Sequence, residues 1–240
     1  MGAHIGIHYL KNANNNMAEM ALGYGSEFEL LRFLGHHREE LDALIHSSVG
    51  VFEPIHWLDY PYDKERKSGD GELIGIECFQ KLHNYQEIQD NWKEFWPQSG
   101  NPMNWDGVFI MDGIWFFVEA KANEREAFQQ CRAKSPDSRR QIDRAMDFTK
   151  EWLGVDNPIK WRRTNCYQLA NRLAFTAFCN KICHIPARIL YVGFLNGFRD
   201  YSVDSIEKWQ SIWNAEYKML GFNESKLKGL LYHIYPDCRQ

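Results

Sequence analysis

The sequence predicts an α/β fold, a mixed sheet of about five strands with helices on both faces. Three observations predict it. Residues 103–122 read as a β-hairpin that is apolar on both sides, residues 187–196 read as a strand directly preceded by a helical stretch, and several segments repeat their apolar residues at helical spacing. With 240 residues, 44% of them hydrophobic and 15% aromatic, the chain can build one large core, and general disorder is excluded. The expected division is a flexible segment over 1–22, where Asn12 to Asn16 forms a loose connector, and a single domain over 23–240.

In chain order, a first helix is expected at about 26–46, its buried face marked by Leu30, Leu31, Leu34, Leu41, Leu44 and Ile45. On that wheel Glu27 lies near the middle of the apolar face. Glu29 points away, where with Ser26 it matches a capping box. The adjacent His36 and His37 read as surface or packing residues. Two short apolar stretches, Val51–Leu58 and Glu72–Phe79, are expected to be two strands, or one strand and a loop, on either side of a turn region at Pro61–Gly71. Gln80–Phe95 follows as a helix or helical loop closed by Trp96-Pro97.

The hairpin comes next. Asp112-Gly113 is suited to the positive φ angles of a type I′ turn, which sets Met111 opposite Ile114, Ile110 opposite Trp115 and Asp106 opposite Glu119. Two opposed carboxylates repel unless something positive lies between them. Lys121, two residues beyond Glu119, shares their face. An acid pair at the end of a buried strand therefore points to a divalent-metal site.

Beyond the hairpin, helices are expected at Glu124–Lys134, Ser138–Leu153 (stopped by Gly154) and about Thr164–Ile182, then the 187–196 strand, a helix at Ser205–Leu220 with Ile206, Trp209, Ile212 and Trp213 inward, and an edge strand at Leu230–Tyr235. Asn165, Gln168 and Arg172 share one side of their helix. The six cysteines are scattered without a CxxC pair, as in a reducing cytosol, so the chain is expected to be cytoplasmic. Cys179, Cys183 and His184 lack the second ligand pair that a zinc site requires. No apolar run is long enough for a membrane span, and the N-terminus does not read as a secretory signal.

The net charge is −4, yet residues 125–172 hold eleven Lys or Arg against six Asp or Glu. That local excess follows the acid pair directly, where a polyanion would need contacts. Asp106, followed by Glu119-Ala120-Lys121 at the end of an apolar strand, resembles the PD-(D/E)xK nuclease superfamily, the restriction-endonuclease-like fold that includes archaeal Holliday-junction resolvases. Trp105 stands where those proteins usually have Pro. The stretch Gly23-Tyr-Gly-Ser-Glu-Phe-Glu29 is similar to the glycine-serine entry of their first helix, which often carries a site glutamate.

The resemblance implies a nuclease that hydrolyses phosphodiester bonds, with DNA as the expected nucleic acid and a 5′-phosphate as product. Asp106, Glu119 and the Ala120 carbonyl would hold Mg²⁺, with Mn²⁺ as a substitute, Glu27 would bind a second ion or a metal-bound water, and Lys121 would orient the attacking water and favour its deprotonation. Gln130, Arg139, Arg140, Gln168 and Arg172 are the candidate nucleic-acid contacts. A homodimer is compatible with this reading, since many such nucleases cut two strands as dimers. Two other classes compete with it: a non-catalytic nucleic-acid-binding or assembly protein keeping the same fold, and an enzyme of another kind, such as a glycosidase, for which Lys121 would have no task.

Overall fold

The computed structural model describes residues 25–58, 73–100, 103–197 and 201–240. The expected 1–22 segment and the Pro61–Gly71 turn lie outside them. Among the described residues a five-stranded sheet runs in the order β1 (His56–Trp57), β4 (Gly107–Met111), β5 (Ile114–Lys121), β6 (Ala187–Gly193), β7 (Leu231–Ile234). β4 runs antiparallel to both its neighbours, β1 and β5, whereas β6 and β7 run parallel to β5. The parallel pairs are made possible by helical crossovers, as such pairs require. A two-stranded ribbon, β2 (Leu73–Ile74) with β3 (Asn104–Trp105), stands apart.

The hairpin has the expected register: Met111 faces Ile114 and Ile110 faces Trp115, around Asp112 (φ 50°) and Gly113 (φ 70°). Period-two alternation sends its apolar residues to two cores. Phe109, Phe116 and Val118 meet α1 (Ser26–His36) and α2 (Arg38–Val49), while Val108 and Phe117 meet the helices of the other face. These are α3 (Tyr85–Phe95), α4 (Pro136–Leu153), α5 (Tyr167–Ala177, continuing as a π-turn over Phe178–Ile182) and α6 (Ile206–Leu220).

Four expectations need correction. The first helix is two helices, interrupted at His37 (φ −132°) just after Gly35, a poor helix former. Because the phase is broken there, leucines beyond 37 do not locate the buried face of α1: Leu30 and Phe33 are buried, Leu31 is exposed, and Glu29 rather than Glu27 is on the buried side. Val51–Leu58 and Glu72–Phe79 each contribute only two strand residues. Glu124–Lys134 forms a single 3₁₀ turn (Glu124–Glu126) before an extended stretch. Ile206, expected inward on α6, is exposed, while Trp209, Ile212 and Trp213 are buried as expected.

The roof over β6 is tightly fitted. A Cβ placed on Gly193 would lie 2.9 Å from the Trp209 ring, and that ring is itself stacked on Trp213, which stacks on His233 of β7. Gly193→Ala is therefore expected to lower stability by about 1–3 kcal/mol, the usual cost of overpacking, read as a lower midpoint in urea unfolding; an unchanged midpoint would show that Trp209 can move aside.

Candidate active site

At the carboxyl end of β5 the pleat sends Glu119 and Lys121 to the same face, opposite Tyr191 and Gly193 of β6. Both are almost fully buried, Glu119 at 1% exposure. From α5, Arg172 reaches the same point. Its Nε donates to Glu119 Oε2 at 2.6 Å, and Lys121 Nζ donates to Glu119 Oε1. The rest of the guanidinium is fixed as well: Nη2 donates to the Asn104 carbonyl (2.7 Å), Nη1 to Asn171 Oδ1 (3.0 Å), and the plane lies 4.5 Å over the Trp105 ring.

All three groups are charged. Burial opposes ionisation of Glu119, but Arg172 and Lys121 outweigh it and hold the carboxyl below its ordinary range. Burial likewise disfavours the Lys121 cation, yet Glu119, Asp106 and Glu126 raise its pKa above the usual lysine value. Arg172 is raised by Glu119 and Asp106 against the same opposing burial. A lysine so stabilised as ammonium donates hydrogen bonds and positive charge; it does not abstract protons.

Asp106 enters differently from the expected cross-strand pairing. The β4–β5 ladder ends at Gly107 and Val118, because β3 turns away to pair with β2 through Leu73–Trp105 and Ile74–Asn104. Asp106 sits at that bend. Its N–H donates to the Val118 carbonyl (3.2 Å), and its Oδ2 accepts the Ala120 N–H at 2.6 Å. The Ala120 carbonyl leaves the strand along the same edge as that N–H. Asp106 therefore joins Glu119 and Lys121 at one strand end, through the backbone of Ala120 rather than by facing Glu119.

Glu126, not singled out by the sequence, completes the acidic side. It accepts hydrogen bonds from the Ala122 N–H (2.8 Å) and Asn123 Nδ2 (2.7 Å). Its position in a 3₁₀ turn just past the strand was hidden by the expected longer helix. A second residue missed was Glu216 of α6, whose periodicity marked only its apolar neighbours. It is 1% exposed, and its Oε2 has no hydrogen-bond partner. Burial pushes its pKa up to about 8, with Lys121 pulling down and Glu119 pushing up.

Glu27 and Glu29 sit on α1, against the opposite face of the sheet from the one on which Glu119 and Lys121 project. The capping box is absent: α1 has Gly25 at its N-cap without a side-chain cap bond, and Glu29 instead pairs with Arg32 Nε at 2.9 Å. Arg32 in turn donates to the Cys238 and Gln240 carbonyls, so this pair fastens the C-terminal residues to α1.

Asp106 and Arg172 open onto a groove of about 1490 Å³, whose floor also includes Gln168 and Asn171. Of the candidate nucleic-acid contacts, Gln130, Gln168 and Arg172 line it. Gln130 is hydrogen-bonded to Asn165 (2.7 Å), and Arg172 is committed to Glu119. Arg139 and Arg140 lie on α4 outside the lining, where Arg139 donates to the Ala133 carbonyl and Arg140 pairs with Asp137.

Two carboxylates and a strand carbonyl are hard oxygen donors of the kind Mg²⁺ takes alongside its retained waters. The donor set fits in type, with one condition: both Glu119 oxygens are held by cations, so an ion would have to exchange with one of them. Among the described residues no group of three or more His, Cys, Asp and Glu assembles as a metal cage, Cys179 and Cys183 included. No described helix is long and apolar enough to cross a membrane. No protein-family model, curated protein or solved structure matches the chain.

Two stability outcomes follow from this geometry. Glu119→Gln leaves Lys121 and Arg172 buried without their shared counter-charge and is expected to cost about 3–5 kcal/mol in denaturant unfolding at neutral pH. Glu216 binds its proton more tightly folded than unfolded, so its burial costs nothing below its ordinary value of 4.5 and progressively more as pH rises, levelling off above about 8. Glu216→Gln should match wild type at acid pH and exceed its stability above pH 8 by a few kcal/mol, on the order of 1.4 for each tenfold change in proton affinity. Equal stability across the range would show that the carboxyl is not held neutral.

Proposed function

We propose that this chain is a divalent-metal-dependent nuclease of the PD-(D/E)xK kind, with a restriction-endonuclease-like architecture. The observation that carries the reading is the meeting of Asp106 with Glu119-Ala120-Lys121 at one end of the central strands, where Asp106 opens onto a groove rich in cations and the other three lie buried behind it. The mixed five-stranded sheet with helices on both faces supports the architecture.

In this reading Asp106, Glu119 and the Ala120 carbonyl would hold Mg²⁺ or Mn²⁺, which would supply positive charge to the phosphate and lower the pKa of water. Lys121, kept as ammonium, would orient the attacking water by hydrogen bonding. Arg172 keeps Glu119 ionised and aligned, and so acts as a positioning residue. Asp106, opening into the groove, is the acid that the substrate side reaches first. Glu27 stands apart on α1, and the proposed site is built without it.

A second reading has its own support. Both Glu119 oxygens are satisfied by Lys121 and Arg172 in a nearly water-free setting, as in a structural brace. On that basis the chain would bind nucleic acid without cutting it.

The deciding experiment is calorimetric titration of Mg²⁺ and Mn²⁺ into the full-length protein and Asp106→Asn, followed by cleavage assays on single-stranded, duplex and branched DNA and on RNA. The nuclease reading expects metal binding that Asp106→Asn abolishes, and cleavage that Lys121→Ala slows by about 10²–10³-fold while its circular dichroism stays native. Absence of cleavage of every substrate with both metals would leave the binding-protein reading.

A further inference from the structure

The groove beside Asp106 has a composition that the metal chemistry does not require. Its rim carries Arg125, Arg132 and Lys134, and among the described residues none of these three forms an ion pair. Nearby cations of the same segment are neutralised instead: Arg162 by Asp143 and Lys160 by Asp147. Among the described residues the lining holds only two carboxylates, Asp106 and Glu126, on a chain whose net charge is −4. Positive potential is thus concentrated where the protein as a whole is negative.

Aromatic rings share this surface. Tyr201 is 57% exposed, unusual for so large a ring, and the Arg125 guanidinium lies 3.5 Å from its centroid. One face of the ring is covered by that cation, which leaves the other for a flat partner. Phe128 and Tyr167, both half-buried, line the same groove. On its floor, Gln168 Oε1 is buried without a hydrogen-bond partner, an acceptor left for a donor that the protein itself does not supply.

We infer that this groove is the bed of an unpaired polynucleotide strand, with the Arg125–Tyr201 plate as a base-stacking platform and Arg132 and Lys134 following the phosphates. The inference deepens the nuclease reading, on which it rests for the position of the strand over Asp106. Its physical ground is the combination of unpaired cations with exposed ring faces. Bases inside a duplex are stacked on one another and offer a protein only their edges, so ring platforms reward unstacked bases alone. The groove also exceeds the roughly 300–1,000 Å³ that encloses a small ligand, as an extended chain requires. The unsatisfied Gln168 acceptor suits a base N–H or exocyclic amine, or a sugar hydroxyl if the strand is RNA.

The test is fluorescence anisotropy with the full-length protein in EDTA, so that binding is read without cleavage or metal. The probes are a labelled oligothymidylate, an oligouridylate of equal length and a hairpin duplex. Both single strands, or one of them, should bind at least about 10-fold more tightly than the duplex, Tyr201→Ala should weaken that binding by about 10-fold, and Tyr201→Phe should retain it. Preference between the two single strands assigns the sugar. Duplex binding as tight as single-strand binding, no binding to any probe, or wild-type affinity in Tyr201→Ala overturns the inference. Metal-dependent cleavage of a duplex together with any of these results would leave the nuclease reading standing and remove only the single-strand bed.

Discussion

A carboxylate held out of water between two cations is the constraint on which the centre of this protein depends. Taking Glu119 into the interior costs several kcal/mol of hydration, and the same is true of Lys121 and Arg172. The cost is offset only where each charge finds its partner in good geometry, and here Arg172 meets Glu119 at 2.6 Å while its other nitrogens are taken by the Asn104 carbonyl and Asn171. Those bonds join β5, α5 and β3. A shift of α5 along its axis would strand the Arg172 cation and leave Glu119 to Lys121 alone, so the ion cluster selects one placement of the helix.

The departure of β3 from the sheet belongs to the same arrangement. Were the strand to continue straight through Asp106, the ladder would place that acid directly against Glu119, and the two carboxylates would compete for the same cations. Instead the chain bends at 106, Asp106 accepts the Ala120 N–H, and the Asn104 carbonyl is left where Arg172 can reach it. Trp105, fully buried beneath the guanidinium, anchors the bend on its inner side and donates its indole N–H to the Gly75 carbonyl. One deviation from strand regularity thus separates the two acids and completes the coordination of the arginine.

What could be read in the sequence follows from how local each signal is. The hairpin was legible because Asp112-Gly113 and a two-residue period set register by themselves, and with it came the shared face of Glu119 and Lys121. The parallel strand at 187–193 and the closing strand at 231–234 were legible as short apolar runs rich in β-branched and aromatic residues, though their pairing was not. The role of Arg172 was not, because on a helical wheel it shares a side with polar Asn165 and Gln168, and only the tertiary fold turns it inward to a buried acid. Glu216 was hidden similarly: a charged residue on an amphipathic helix reads as solvated, whereas this one is enclosed beside Lys121. The facing of Glu27 and Glu29 was misjudged on a subtler point, since a break at His37 removed the phase relation between the leucines used to orient α1.

The charge balance at the site connects its two parts. Around Lys121 lie three ionised acids, Asp106, Glu119 and Glu126, while Arg172 supplies the second cation. Glu216 adds no charge near neutrality because burial keeps its proton on. The local formal balance is therefore one negative charge. The acids Asp106 and Glu126 line the groove beside Arg172, and Glu119 and Lys121 lie deeper. A phosphate approaching along the groove meets two acids against one cation. Arg125, Arg132 and Lys134 on the rim offset that repulsion at a distance, but they do not reverse it at Asp106 itself. Within the proposed function, two added positive charges at Asp106 would turn the balance to one positive and make the same floor attractive to a phosphodiester. The site would then bind its substrate's backbone weakly at the reacting phosphate until an ion is present, while the rim holds the flanking strand throughout.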